Sequence, residues 1–94
     1  MEGTLLTGVA ILLFVSAIIL GIRNGKVYKH RTKISDAVYK TGIEELEDGS
    51  YSLAKSAQRW AYVREISYDK QVLMFWKPLE SFYDQEFLKE IGVK

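Results

Sequence analysis

An uninterrupted apolar stretch near the N-terminus sets the plan of the chain. Residues 3–22 carry no charged side chain. Twenty helical residues at about 1.5 Å of rise each match the roughly 30 Å hydrocarbon thickness of a bilayer. A helix also satisfies its own backbone hydrogen bonds in lipid, which an isolated strand does not. The pattern therefore predicts one transmembrane helix, residues 1–22, that anchors the rest of the chain.

Small residues recur along one side of this predicted helix. Their spacing of three, four or seven places them on a common face. In lipid, such a face lets two helices approach closely and gain dispersion contacts. The sequence thus predicts a helix-packing seam for a second copy of this chain or another membrane protein. The seam consists of Gly3, Thr7, Ala10, Ala17 and Gly21.

Five basic residues and no acidic residue follow the apolar stretch, in a juxtamembrane segment at 23–33. Lys and Arg close to a span are retained on the cytoplasmic side, so we expect the N-terminus outside and the C-terminal domain in the cytoplasm. Anionic headgroups also attract these cations. Beside a span, topology and lipid contact explain them better than nucleic-acid binding does. They are Arg23, Lys26, Lys29, Arg31 and Lys33.

Two alternatives concern the span itself. The small residues at 15–17 resemble the end of a cleavable signal peptide, but the missing basic n-region and the apolar continuation favour an uncleaved signal-anchor. At the exit from the bilayer, Gly21, Asn24 and Gly25 tolerate non-helical backbone. A helix break or hinge between the span and the domain that follows is therefore an alternative to a continuous helix.

Beyond residue 33, the pattern predicts a small, mainly α domain at 34–94. Ile34, Ala37, Val38 and Thr41 follow the spacing of an amphipathic helix. The sequence 48–50 is the clearest turn, with its Asp, Gly and Ser. Further helices are predicted after three capping residues, with Gly92 ending the last one, 85–91. The capping residues are Ser52, Ser67 and Asp84.

An α+β alternative concerns residues 60–76. Trp60, Tyr62, Ile66 and Tyr68 alternate with more polar residues, as in a half-buried strand. A turn near residues 69–70 would then return the chain as a second strand. This alternative predicts a β-hairpin at 60–76 in place of two helices.

The segment 72–76 is the most apolar outside the anchor. As a helix that ends before Pro78, it would place Phe75 in the core. The alternative is an exposed patch for a partner or for the membrane surface. We expect the aromatic region to act as a partner surface made of Trp60, Phe75, Trp76 and Phe82.

Composition and motifs offer no support for catalysis. The 94 residues include no cysteine and one histidine, His30, too few for a thiolate or histidine zinc site. No nucleophile elbow, phosphate-binding loop or HExxH motif occurs. The acidic residues at 44–48 lack the spacing of a calcium loop. We therefore expect no enzymatic activity, cofactor or metal site.

These observations predict a non-enzymatic, single-pass membrane protein that serves as an accessory or regulatory protein-interaction subunit of a membrane-associated complex. Its expected partners are the bilayer and a membrane or cytoplasmic protein, a second copy of this chain included. One alternative is a membrane-anchored lipid- or nucleic-acid-tethering module that uses the basic segment. A further alternative is a small phage-type or bacterial inner-membrane protein that acts on the host envelope.

Overall fold

The fold is dominated by one very long helix. The structure is a computed structural model that describes residues 2–94. These residues contain no strand, so the mainly α prediction is confirmed and the alternative hairpin at 60–76 is wrong. In chain order the elements are α1 (Glu2–Asp48), α2 (Leu53–Glu65), α3 (Tyr68–Leu73), a short 3-10 helix (Leu79–Phe82) and α4 (Gln85–Glu90).

Helix α1 runs without interruption through the glycines at which a hinge was an alternative. Its 47 residues, at about 1.5 Å each, account for nearly all of the molecule's 71 Å length. Gly21 and Gly25 lie within α1, so the alternative of a break between the span and the domain is wrong. Arg23 and Val27, which lie on either side of Gly25, are buried against the rest of the domain. That tertiary contact outweighs the roughly 1 kcal/mol helix penalty of each glycine.

The shorter elements all pack along the C-terminal half of α1. Helix α2 is antiparallel to α1. Near its middle Arg59 pairs with Glu45 at 2.7 Å, and just after its end the Ile66 carbonyl accepts a hydrogen bond from Arg31 at 3.1 Å. Helix α3 continues in the same direction. The final segment then returns, and Thr41 donates its hydroxyl to the Ile91 carbonyl at 3.2 Å. The domain is therefore a small helical bundle with α1 as its spine.

Local side-chain chemistry sets the boundaries of the helices. The predicted turn forms after α1, where Gly49 adopts a φ of 81° and the Ser50 amide bonds to the Asp48 carboxylate. The three predicted N-caps are confirmed, since each accepts a hydrogen bond from the first turn of its helix. Gly92 follows α4 with a φ of 79°, a conformation that favours glycine.

The core lies between α1 and the returning segments. Ile34 and Val38 on α1 are buried with Val63, Leu88 and Ile91, which confirms the amphipathic pattern predicted from residue 34. The buried stripe begins earlier, at Arg23 and Val27. Since positions 23, 27, 34 and 38 are four or seven apart, they share one face of α1.

The N-terminal half of α1 makes little contact with the domain. Residues 3–19 are all exposed. The helix is long and apolar enough to cross a membrane by length and composition. This is weak evidence for membrane association, and it is compatible with a transmembrane or signal-anchor helix.

Candidate functional site

At the end of the domain nearest the apolar stretch, a buried arginine on α1 donates hydrogen bonds to the backbone of residues 71–77. Arg23 is 8% exposed. Its Nε donates to the Gln71 carbonyl at 2.8 Å, and its Nη2 donates to the carbonyls of Met74 at 3.1 Å and Lys77 at 2.8 Å. Among the described residues no carboxylate forms a salt bridge with it. The guanidinium is therefore occupied by the protein's own backbone, while its role in membrane topology stays a prediction.

The carbonyls that Arg23 binds belong to a turn that presents two aromatic rings. The Lys77 amide donates to the Met74 carbonyl at 3.0 Å, which closes a four-residue β-turn at 74–77. We call this segment the aromatic turn. Its central residues, Phe75 and Trp76, are 51% and 67% exposed, and their ring centroids lie 5.3 Å apart. The interpretation in which a helix places Phe75 in the core is therefore wrong, because the turn whose end carbonyls bind Arg23 leaves the Phe75 ring exposed.

The aromatic turn lies beside the last turns of the apolar stretch. Phe75 lines one shallow cleft with Ile19, Ile22 and Lys26. It lines a second cleft with Ser16, Ile19, Leu20 and Leu73. Leu73 is itself 61% exposed. An apolar tip of the domain thus overlaps the C-terminal end of residues 3–22.

The four aromatic residues predicted as one partner surface are dispersed. Trp60 and Phe82 are partly buried and pack against the core. Trp60 also lines a cleft with Gly42, at the far end of the domain from the aromatic turn. Only Phe75 and Trp76 remain together on the surface.

Three of the five predicted lipid-facing cations have exposed side chains. These are Lys26, Lys29 and Lys33. Arg31 is half-buried, donating to the Ile66 carbonyl and lying over the Tyr68 ring at 5.9 Å from its centroid. With Arg23 buried as well, fewer charges face solvent than the sequence alone suggests.

The predicted seam faces away from the domain. All five of its residues are exposed, and the Thr7 hydroxyl is satisfied within the helix by the Gly3 carbonyl at 2.7 Å. At 3.6 residues per turn, Ala17 and Gly21 lie on the side of α1 opposite Arg23. The domain therefore leaves this face open to another helix, whose existence stays a prediction.

A second exposed apolar region lies at the far end of α1. Tyr39 and Leu46 are 66% and 61% exposed, and Ile43 between them is also exposed. Together with Tyr51 they line a cleft against α2. We call these four residues the far surface. Sequence reasoning missed it, although the spacing of residues 39, 43 and 46 is that of one helix face.

An ion-pair network joins α1, α2 and α4 near the far surface. Arg59, 5% exposed, lies 2.7 Å from both Glu45 and Glu90, and Lys55 lies 3.1 Å from Glu90. Hydrogen bonds from Arg59, the larger cause, and from Lys55 lower the pKa of Glu90 below its ordinary value. Glu45, one of the acidic residues at 44–48, is thus a structural partner of Arg59.

The single histidine is partly buried inside the bundle. The His30 ring meets Tyr83 edge to face, with centroids 5.5 Å apart. Burial, followed by the charges of Lys33 and Arg23, lowers the pKa of His30, and Glu80 partly opposes them. Because the lowered pKa favours the neutral ring near pH 7, His30 is mainly uncharged there. Residues 2–94 contain no cluster of side chains suited to hold a metal ion.

Comparisons with protein-family models, with curated protein sequences and with solved structures found no match to this chain.

Proposed function

We propose that this chain is a single-pass membrane protein whose domain is an accessory or regulatory interaction subunit of a membrane-associated complex. Helix α1 anchors the protein through residues 3–22 and continues as the spine of the domain. The short elements pack on that spine and leave apolar surface at both ends of the domain. The end away from the span is the proposed contact for a protein partner.

The far surface is the observation that carries this proposal. Tyr39, Ile43 and Leu46 expose apolar area on the side of α1 that also bears the seam. Large exposed apolar patches are unusual on small monomeric domains and mark protein or membrane contacts. The far surface lies about 30 Å along the helix from Ile22. A protein partner therefore explains it better than the bilayer does.

The proposed topology is N-terminus outside and domain in the cytoplasm of a cell whose membrane α1 crosses. The support is the cation excess at residues 23–33, counted close to the span as the positive-inside rule requires. Protease treatment of intact cells tests it. A C-terminal tag should survive in intact cells and be cut after the membrane is opened, whereas cutting from outside would reverse the orientation.

Site-specific photo-crosslinking in membranes tests the partner contact. A photoreactive residue in place of Leu46 should give a discrete adduct with another protein or with a second copy of this chain. The matched control carries it in place of Glu86, which is exposed on α4 but outside the far surface. No adduct at residue 46, or the same adduct at both positions, would contradict the proposal.

The second candidate function is electrostatic tethering to lipid or nucleic acid. Its support is the exposure of Lys26, Lys29 and Lys33 on one stretch of α1. Binding through these cations would weaken steeply with rising salt, because exposed charges are screened beyond a Debye length of about 10 Å at 0.1 M. An adduct at residue 46 that persists at high salt favours the interaction subunit.

A further inference from the structure

We propose that the aromatic turn inserts into the headgroup boundary of the same bilayer that α1 crosses. The domain would then touch the membrane at a second point, through Phe75, Trp76 and Leu73. This inference rests on the proposed membrane insertion of α1. It adds a lipid-binding surface to a domain that is otherwise joined to the membrane through one helix.

The position of the aromatic turn along α1 is the first argument. Phe75 lies in clefts with Ile19 and Ile22 and with Ser16. Ile19 is three residues short of Ile22, and Ser16 is six, which corresponds to depths of about 4.5 and 9 Å along the helix axis. Amphipathic elements that lie on membranes bury their apolar face by about 5–10 Å. The turn therefore reaches the depth at which such contacts occur.

The chemistry of the exposed side chains is the second argument. Tryptophan is enriched at membrane interfaces because its ring is apolar and its N–H group is polar. Trp76 and Leu73 are each more than 60% exposed, an arrangement unfavourable in water. Lys26, beside Phe75, and Lys77, in the turn itself, place cations at the rim. This order of apolar tip and basic rim matches that of acyl chain and anionic headgroup.

The third argument is that the turn is already in place before any lipid binds it. Arg23 fixes the carbonyls at both ends of the turn, and the Lys77 amide closes it. Phe75 and Trp76 also support each other by an edge-to-face contact. Insertion would thus order few additional groups, which keeps its entropic cost low.

Depth also argues against a water-soluble protein as the occupant of this surface. A partner that covers Phe75 beside Ile19 would itself have to enter the bilayer. The lipid is already present at that level if α1 spans. We therefore assign the bilayer as the occupant, and a protein partner becomes an outcome of the test.

The two tryptophans of the chain provide a matched experiment. Trp60→Phe leaves Trp76 as the single fluorophore at the proposed interface. Trp76→Phe leaves Trp60 on α2, beside Gly42, which lies about 30 Å beyond Ile22 along α1. Each full-length variant is reconstituted into phosphatidylcholine–phosphatidylglycerol vesicles with and without bromine near the upper end of the acyl chains. Flotation after an alkaline carbonate wash reports separately whether α1 is inserted.

Insertion predicts that brominated lipid quenches Trp76 by about twofold or more and leaves Trp60 nearly unchanged. If the protein floats but Trp76 is quenched no more than Trp60, the inference is wrong and the proposed function stands. Loss of flotation overturns both. In floated protein, a Trp76 that escapes quenching but emits as an indole shielded from water would assign the surface to a second copy of this chain.

A second pair of variants keeps the test valid if Trp60→Phe does not fold. The chain has no cysteine, so Trp76→Cys and Glu86→Cys each offer one site for a polarity-sensitive label. The label at residue 76 should report an apolar environment in vesicles and an aqueous one in their absence. The same aqueous signal at both positions in floated protein would contradict membrane contact by the turn.

Discussion

The two halves of α1 obey different rules within one continuous helix. The half before Arg23 is apolar on all sides and, apart from the clefts beside Phe75, exposes its side chains. The half after it has one buried stripe, and its other sides are polar except where the far surface exposes apolar side chains. An apolar surface on all sides suits lipid, whereas a single apolar stripe suits a helix that packs in water. The difference shows that burial, rather than helix propensity, marks where the domain begins.

Truncating one isoleucine in each half tests this difference with the largest expected effect. Ile34→Ala should lower the free energy of unfolding of the domain by about 3 kcal/mol, because Ile34 is fully buried and its truncation leaves a cavity. Ile18→Ala should change it by less than about 0.5 kcal/mol, since Ile18 is exposed. Urea titration of the full chain in detergent, followed by tryptophan emission, measures both. Equal losses would mean that both halves belong to one core.

The boundary between the halves is tested by two neighbouring cations. Arg23→Ala should cost the domain about 2 kcal/mol, because three carbonyls lose a charged donor in a buried site. Lys26→Ala removes the same charge from an exposed position and should have little effect on stability. The same urea titration compares them. Comparable stability of the two variants would show that Arg23 acts as a surface charge.

A pH titration examines the packed half through His30. The pKa of His30 is lowered below its ordinary value of 6.5, so the folded state binds its proton less readily than the unfolded state does. Stability should therefore decrease as the pH falls from about 6.5 toward the folded pKa. The slope should stay under about 1.4 kcal/mol per pH unit, and partial solvent screening reduces it further.

The control for that titration is His30→Gln, which should flatten the curve in this window. The pKa of Glu90 is lowered from an ordinary value of 4.5. Its stabilising ion pair is present above that value and is lost as the pH falls through the folded pKa, so its effect appears only at lower pH. An unchanged slope near pH 6 in His30→Gln would assign the pH dependence to another group.

The smallest expected effect concerns the glycine at the junction of the halves. Gly25→Ala should stabilise the protein by about 0.5–1 kcal/mol, because Gly25 is helical and no atom lies within 4 Å of an added Cβ. Gly49→Ala should have the opposite sign, since Gly49 has a φ of 81°. Thermal unfolding in detergent measures both. Destabilisation by Gly25→Ala would favour a hinge in place of a continuous helix.

Local sequence signals predicted much of the fold. The capping residues Ser52, Ser67 and Asp84 act through hydrogen bonds within a few residues, so their identity and spacing indicate the helix starts. The turn at Gly49 follows from equally local chemistry. Ile34 and Val38 were also recognisable, because two core residues on one helix face give a periodic signal.

The candidate site was harder to predict because its geometry depends on contacts between distant parts of the chain. Arg23 meets the carbonyls of residues 71–77 about fifty positions later, and a cation after a span is explained by topology alone. Because Arg23 is charged, the sequence did not indicate that the buried stripe begins at residue 23 and continues at Val27. The sequence left open whether Phe75 lies in the core or on the surface, because hydrophobicity alone does not reveal which side of a turn faces outward.

Because α1 is continuous from the apolar stretch to the far surface, a tilt of one end of the helix displaces the other end. Leu46 lies 24 positions beyond Ile22, or about 36 Å along a helix without a joint. Transmembrane helices tilt by about 20° on average, and each 10° change in tilt would carry Leu46 sideways by about 6 Å. If α1 crosses the bilayer as proposed, a change in bilayer thickness would alter this tilt and move the far surface relative to the membrane.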